Sequence, residues 1–314
     1  IGAVDETFLQ QMMLVFMDLA TGYLLMEEVA ADRSYDTWYD RTNERLTTFG
    51  TEVLYMVSDR AKALIKLANA GLGCPSIPDL FHLGHDLAKG YSLAIFGRLR
   101  QAKHALEQAR RALEKVPKRA QTDPDQSAQA RIAACTSAVN HWQEVGCAWR
   151  QHLSKLSGVL HPWRLADSLC QTSQAVEELL RAELKAIETL LETNGLPMKQ
   201  DILAKVRKQL AGISALVDFW WQTVRQDLTQ LAMTPKWTQW AEELLLPLEY
   251  WHEQLRRTRH PVQKAQIALV LQAVEEAFER HPCTRQLKPE VLAAWKSWAA
   301  EHAKAFQRAS SAVE

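Results

Sequence analysis

A short apolar segment that ends on an acid constrains the fold of this chain more than any other feature. The run at residues 53–57 (VLYMV) leads to Asp59, and an amphipathic helical pattern follows. Such a run is typical of a strand that is buried on both faces of a parallel sheet. A carboxylate at the carboxyl end of such a strand lies where α/β sheets carry their functional groups. Asp59 is therefore either a functional acid or the cap of the next helix, and this segment alone leaves both open.

Three β-rich segments precede this strand. They cover residues 1–8, 12–17 and 23–29, and Thr21-Gly22 predicts a turn between the last two. Ser34 and Gly50 have the residue types that begin and end a helix between the third and fourth strands.

A fifth strand is predicted at residues 78–82, which gives the order β-β-β-α-β-α-β. The helix between strands three and four allows the fourth strand to run parallel to the first. If the two strands are adjacent, Asp5 and Asp59 become neighbours.

The rest of the chain carries helical patterns only. We predict a polar loop at 117–127 and helices at about 87–116, 128–157, 168–193, 199–231, 236–257, 262–280 and 289–314. The predicted fold class is α/β, with a mixed five-stranded sheet interrupted by a large all-α insertion, and helical overall. The predicted domains are a core at 1–88, an all-helical insertion at 89–288, and a helix at 289–314 that returns to the core.

Charge and cysteine content narrow the classes of protein. Lys+Arg and Asp+Glu both number 37, so no net field attracts nucleic acid and any such contact must come from local clusters. The five cysteines include no C-x-x-C pair, which favours reduced thiols in the cytosol. No apolar run approaches the ~18 residues of a membrane span. We therefore expect a cytoplasmic protein with no membrane partner.

Two basic clusters are candidates for contact with DNA phosphates. Acids are interleaved in the first cluster, so a solvated helix face is its alternative interpretation. The first comprises Arg98, Arg100, Lys103, Arg110, Arg111, Lys115, Lys118 and Arg119, and the second Arg256, Arg257, Arg259 and Lys264.

Several short motifs together resemble the catalytic region of insertion-sequence DDE transposases, whose core is RNase H-like. They are residues 4–8 (VDETF), 19–23 (LATGY), 58–63 (SDRAKA) and 306–314 (FQRASSAVE). The resemblance implies a catalytic triad of Asp5, Asp59 and Glu314 that holds two Mg²⁺ ions, with Mn²⁺ as a substitute. Asp79 and His82 fit the [Cys/Asp]-x-x-His signature found after the second aspartate in several transposase groups.

The same resemblance implies an activity and partners. The activity is metal-dependent cleavage and strand transfer at transposon ends, with double-stranded DNA of the ends and the target as substrate. A homodimer or larger assembly is expected in the active complex, in a prokaryotic cytosol and at the nucleoid when active. Arg308 would contact phosphate. His82 either supports the metal site or is a core residue with satisfied hydrogen bonds. The family usually continues beyond the glutamate, so we expect this chain to be a fragment.

Alternatives remain open at this stage. Asp18 could replace Asp5, and Glu301 could replace Glu314, whereas Glu6 alternates to the opposite face of its strand and is expected to be structural. The functional alternatives are an RNase H-like nuclease without strand transfer and a non-catalytic DNA-binding protein derived from a transposase. A purely helical interaction scaffold predicts that Asp5 and Asp59 lie far apart.

Overall fold

The structure is a computed structural model that describes residues 1–8, 11–19, 21–59, 61–114 and 124–306. Within these residues the protein is mostly helical and carries one small mixed sheet of five strands. The coarse prediction of a predominantly helical α/β protein is therefore confirmed. In the described part of the chain no helix is both long and apolar enough to cross a membrane.

The sheet has the strand order β3-β2-β1-β4-β5. Strands β1, β2 and β3 form an antiparallel meander, and β4 runs parallel to both β1 and β5. The expected position of the fourth strand beside the first is confirmed. The strands are β1 (Gly2–Phe8), β2 (Met12–Asp18), β3 (Tyr23–Val29), β4 (Met56–Ser58) and β5 (Ser76–Pro78).

Helix α1 (Tyr35–Phe49) packs on one face of the sheet. The Ser34 hydroxyl accepts a hydrogen bond from the Thr37 amide at the first turn, and Gly50 ends the helix in the left-handed conformation with φ of 61°. Its Trp38 is fully buried in a cluster with side chains from β1, β2, β3 and β4. Burial of one large apolar side chain stabilises the folded state by about 1.5–3 kcal/mol. The side chains of this cluster therefore hold α1 against the sheet.

The opposite face of the sheet is also covered. Ala3 and Val57 alternate away from the α1 layer, and both are completely buried. Tyr55 precedes β4 on this second side, and its hydroxyl donates a hydrogen bond to the carbonyl oxygen of Ala305 at 3.1 Å. The end of the last helix is thereby attached to the sheet.

The remaining helices follow in chain order. Two of them are extended by π-helical turns, at Leu67–Gly71 after α2 and at Ala241–Leu245 between α7 and α8. The helices are α2 (Lys62–Lys66), α3 (Leu80–Glu114), α4 (Pro124–Val159), α5 (Ser173–Thr193), α6 (Gln200–Gln230), α7 (Pro235–Trp240), α8 (Leu246–Arg257), α9 (Pro261–Arg280), α10 (Pro282–Gln286) and α11 (Pro289–Ala305).

The chain divides into two compact units. The first unit consists of Ile1–Leu83, Ser157–Leu180 and Lys208–Glu314, and the second of Gly84–Leu156 and Arg181–Arg207. The first unit thus joins the sheet to several helices of the segment 89–288, which the sequence prediction treated as one insertion.

Each unit has its own aromatic core. In the first, the Trp163 ring lies 5.2 Å from Trp220 and 5.1 Å from Trp221, and Phe306 packs edge-on against Trp220 at 6.0 Å. In the second, Tyr91 packs edge-on against Trp149 at 5.9 Å.

Several predicted boundaries differ from the structure. The predicted fifth strand at 78–82 is wrong beyond Pro78, because residues 80–82 form the first turn of α3 after Asp79 caps it. The fourth strand is limited to three residues. The helix predicted from 168 begins at Ser173, since residues 160–172 form a loop with a short bridge between Trp163 and Cys170.

Candidate functional site

Asp5 and Asp59 belong to neighbouring parallel strands. The pairing of β1 with β4 matches Gly2 with Met56 and Ala3 with Val57. Continuing this register by two residues places Asp5 opposite Asp59, at the end where both strands point their carboxyl termini. Both acids also alternate to the same face as Val57. This register predicts that the two acids, which the sequence singled out on separate segments, are neighbours at this edge of the sheet.

Backbone amides hold one oxygen of each carboxylate. Asp5 Oδ1 accepts a hydrogen bond from the Glu6 amide at 2.9 Å, and Asp59 Oδ1 accepts one from the Ala61 amide at 2.8 Å. The second contact closes a tight turn between β4 and α2. Hydrogen bonds of this kind restrict how a carboxylate can rotate.

Asp79 extends this edge by one strand. Ser58 pairs with Pro78 across β4 and β5, and the next residue, Asp79, donates its amide proton to the Ser58 carbonyl at 3.0 Å. Its Oδ1 accepts a hydrogen bond from the Phe81 amide at 2.6 Å, which caps α3. Sequence reasoning treated Asp79 only as part of a motif. The signal for its second role was an acid directly after a predicted strand and before a helix.

His82 lies in the first turn of α3. Its Nε2 lies 3.9 Å from Asp79 Oδ2, which is beyond hydrogen-bond distance. The two residues of the motif are therefore neighbours, but these two atoms form no hydrogen bond. The Nε2 atom is buried and has no hydrogen-bond partner among the described residues.

Glu6 lies on the other face of β1, as strand alternation predicts. Its side chain is buried, and Arg33 Nη1 lies 3.4 Å from Oε2. Burial raises the pKa of Glu6; the charge of Arg33 opposes this effect and the negative charge of Asp59 adds to it. The interaction with Asp59 shows that negative charge accumulates at this edge of the sheet.

The two alternative acids occupy other places. Asp18 pairs with Gly2, three residues along β1 from Asp5, which is roughly 10 Å along a strand. Its Oδ2 accepts hydrogen bonds from the amide and hydroxyl of Thr21, so it closes the β2–β3 turn. Glu301 is an exposed residue of α11, one turn before the helix ends.

Glu314 and Arg308 lie outside the described residues. The structure describes α11 to Ala305 and the extended Phe306 that follows. Phe306 is buried against Trp220 and Tyr250. The last helix was predicted to run to residue 314. It ends at Ala305 instead, since Phe306 is no longer helical.

The two aspartates have the chemistry of a divalent-metal site. Mg²⁺ is commonly held by one or two protein carboxylates and completes its octahedron with water and phosphate oxygens. Among the residues that the structure describes, no group of three or more His, Cys, Asp or Glu side chains is placed to hold a metal ion. Asp5 and Asp59 could supply the two protein carboxylates that a magnesium site commonly needs.

The basic clusters differ in how their charges are used. Arg256 Nη2 lies 2.7 Å from Glu253 Oε1, and Arg257 also contacts that carboxylate. In α3, Arg111 is paired with Glu107. Side chains that are exposed and form no ion pair within the described chain include Arg98, Arg100, Lys103, Arg110, Arg259 and Lys264. Lys115, Lys118 and Arg119 lie outside the described residues.

Comparison with known proteins gives a limited result. A family model described as "Family of unknown function (DUF6399)" matches residues 241–314. No curated protein and no solved structure matches the chain. The matched stretch begins at the second π-helical turn and includes α8 to α11, so it contains neither Asp5 nor Asp59.

Proposed function

We propose that this chain is the catalytic region of a DDE-type DNA transposase with an RNase H-like core. The observation that carries the proposal is the parallel pairing of β1 with β4, whose register, continued by two residues, would set Asp5 beside Asp59 at the carboxyl edge of the sheet. The mixed five-stranded sheet with β4 beside β1 supports it, because the RNase H-like core that the resemblance implies is also a mixed five-stranded sheet.

In this proposal Asp5 and Asp59 would hold Mg²⁺ through their carboxylates. A bound Mg²⁺ neutralises developing charge on a phosphodiester and lowers the pKa of an attached water. The Asp79 cap fixes the junction between β5 and α3 one strand away from the two acids.

The proposed reaction has two in-line displacements at phosphorus. Water first attacks a phosphodiester at the transposon end, and the bond to the leaving 3′-oxygen breaks. The freed 3′-hydroxyl then attacks a phosphodiester of the target DNA. The new P–O bond forms as the bond from that phosphorus to the target 3′-oxygen breaks, and this oxygen leaves as a 3′-hydroxyl with the proton that the attacking hydroxyl gives up. Both steps depend on alignment and charge neutralisation more than on covalent participation by the protein.

The proposed third acid is Glu314. The hydrogen bond from Tyr55 to Ala305 supports its inclusion, because it attaches the end of α11 to the face of the sheet that carries both aspartates. From Ala305, nine further residues lead to Glu314 (314−305). A chain of this length spans at most about 30 Å, which exceeds the width of the sheet edge.

Titration with Mn²⁺, followed by electron paramagnetic resonance, tests the metal site. The intact chain should bind Mn²⁺, and Asp5→Asn or Asp59→Asn should weaken binding at least ~10-fold, because each removes one charged ligand. The matched control is Asp18→Asn, which changes an aspartate three residues along the sheet and keeps a turn-forming side chain. Equal Mn²⁺ affinity in all four proteins would exclude the proposed site.

A pre-cleaved DNA end separates the two enzymatic alternatives. A transposase joins its 3′-hydroxyl to a target plasmid, whereas a nuclease only cuts. We expect joined products with Mg²⁺ or Mn²⁺ and their loss in Asp59→Asn. Cutting without joining would favour the nuclease.

A further inference from the structure

The first unit contains a groove that the proposed catalytic site does not use. It lies between α9, the π-helical turn Ala241–Leu245 and the loop at residues 163–170, and its cavity has a volume of about 970 Å³. That volume is at the upper end of the range for pockets that bind ligands. We refer to this feature as the α9 groove.

The walls of the α9 groove are apolar and open. Leu169 on the loop side and Leu269 on α9 line it, and they are 59% and 70% exposed. Two large aliphatic side chains on opposite sides of one groove form a contiguous apolar patch, which is typical of interaction sites.

The face of α9 in the groove suits a second helix. Gln266, Leu269, Ala273 and Ala277 follow one another at spacings of three, four and four residues, and all four are exposed and uncharged. Residues at this spacing form a ridge along one helix face. The two alanines leave space for the backbone of another helix to approach closely.

One acid in the groove lacks a cationic partner. Arg225 Nε contacts Glu242 at 3.1 Å, and Arg164 is paired with Asp167. Glu243 is exposed, and its Oε1 accepts a hydrogen bond from the side-chain Nε2 of Gln239 at 3.1 Å. It forms no ion pair with any described residue. The groove therefore favours an occupant that brings one positive charge to Glu243.

The π-helical turn is a second, independent indication. Such turns are rare and occur frequently at functional sites, because the extra residue redirects the side chains around it. Here the turn carries Glu242, Glu243 and Leu244, and all three line the groove. Trp163 Nε1 donates to the Glu242 carbonyl oxygen at 3.3 Å, which stabilises the turn from the loop side.

We propose that the α9 groove is a docking site for an amphipathic helix of a partner protein that carries a Lys or Arg beside its apolar face. The apolar face would pack on Leu269, Ala273 and Ala277, and the cation would pair with Glu243. Docking of helices in apolar grooves commonly uses anchors at i, i+3, i+4 and i+7. A second copy of the same groove does not fit, since two concave surfaces leave a void between them. The proposal is independent of the transposase assignment.

Selection from a phage library of helical peptides against the intact chain tests the proposal. Enriched peptides should carry apolar residues at helical spacing and at least one Lys or Arg. Leu269→Glu should weaken binding of a selected peptide at least ~10-fold, as for a central apolar anchor. The control is Leu93→Glu, which changes a 74% exposed leucine of the second unit and should leave affinity unchanged.

Charge reversal provides the decisive variant pair. Glu243→Lys should weaken the selected peptide, and a peptide with its cation changed to Glu should recover binding to that variant. Circular dichroism verifies that the variants are folded. The proposal is overturned if no peptide is enriched, if the enriched peptides bind Leu269→Glu as well as the unaltered chain, or if charge reversal gives no recovery. A further result would also overturn the proposal. If the chain binds no peptide but self-associates, and Leu269→Glu abolishes this self-association, the groove is the contact site for a second copy of the chain.

Discussion

At the scale of single residues, the carboxyl edge of the sheet shows how position gives similar side chains different tasks. Asp5 lies on β1 and Asp59 directly follows β4, so the register of these strands predicts that the two acids are neighbours, whereas Asp79, one strand further, is buried and caps α3. Asp18 closes a turn at the other end of β1. Residue type alone does not distinguish these four acids, and the strand register does.

Glu6 should give the folded state a pH dependence. Its burial raises the pKa in the folded protein, so the folded state must hold a poorly solvated charge above the ordinary pKa of glutamate. The unfolded chain has no such cost, and the free energy of unfolding therefore falls as pH rises. Relative to Glu6→Gln, the unaltered protein should be less stable at about pH 7 than at about pH 4, because the loss of stability begins near the ordinary pKa of glutamate, about 4.3, and continues as the pH rises through the raised pKa.

Urea denaturation of both proteins at the two pH values measures this difference. Glu44→Gln on the exposed side of α1 is the control, since that residue is exposed. If Glu6→Gln and the unaltered protein keep the same difference in unfolding free energy at both pH values, burial of Glu6 has no electrostatic cost.

At the scale of elements, short local signals determined which boundaries sequence reasoning could find. Ser34 and Gly50 correctly predicted the two ends of α1. The Ser34 hydroxyl caps the first turn, and Gly50, which has no side chain, adopts the left-handed conformation that ends the helix. The start of α3 was missed because an apolar stretch after Pro78 fits both a strand and a helix, and only the Asp79 cap decides between them. Residues 168–172 were wrongly assigned to a helix, because tertiary contacts such as the Trp163–Cys170 bridge hold them in the loop.

Two glycine substitutions should have opposite effects on stability. Gly50 has a φ of 61° with open space around it, so Gly50→Ala should destabilise the protein by about 1–2 kcal/mol through backbone strain alone. Gly97 lies inside α3 and also has open space, so Gly97→Ala should stabilise it by about 0.5–1 kcal/mol. Thermal denaturation followed by circular dichroism measures both, and a stabilising Gly50→Ala would contradict the assigned end of α1.

The attachment of α11 to the sheet is also testable. Tyr55→Phe removes the hydroxyl that bonds to Ala305 and should cost about 1 kcal/mol locally. Hydrogen exchange should become faster in the last turn of α11, while α1 on the other face keeps its protection. Unchanged exchange at residues 302–306 would show that this contact does not hold the helix end.

At the scale of the whole molecule, equal numbers of acidic and basic residues leave DNA binding to local geometry. In the second basic cluster Arg256 and Arg257 share Glu253, which reduces their availability for phosphate. In the first cluster Arg100 and Lys103 lie one turn apart on α3, are exposed, and form no ion pair within the described chain. The first cluster is therefore the stronger candidate for phosphate contact.

Salt-dependent binding to double-stranded DNA compares the two clusters. Replacing Arg100 and Lys103 by Gln should lower affinity and reduce the slope of log affinity against log salt by about 2, one for each lost phosphate contact. Replacing Arg256 and Arg257 by Gln should change the slope less. A larger effect from the second pair would reverse this assignment.

The central claim is that Asp5 and Asp59 meet at one edge of the sheet and share a divalent cation. Crystals of the intact chain soaked in Mn²⁺ test it most directly through anomalous diffraction at the manganese edge. We expect a peak bonded to carboxylate oxygens of both residues at about 2–2.5 Å, which disappears in Asp59→Asn. A structure in which the two carboxylates point apart and the manganese peak lies elsewhere would contradict the account.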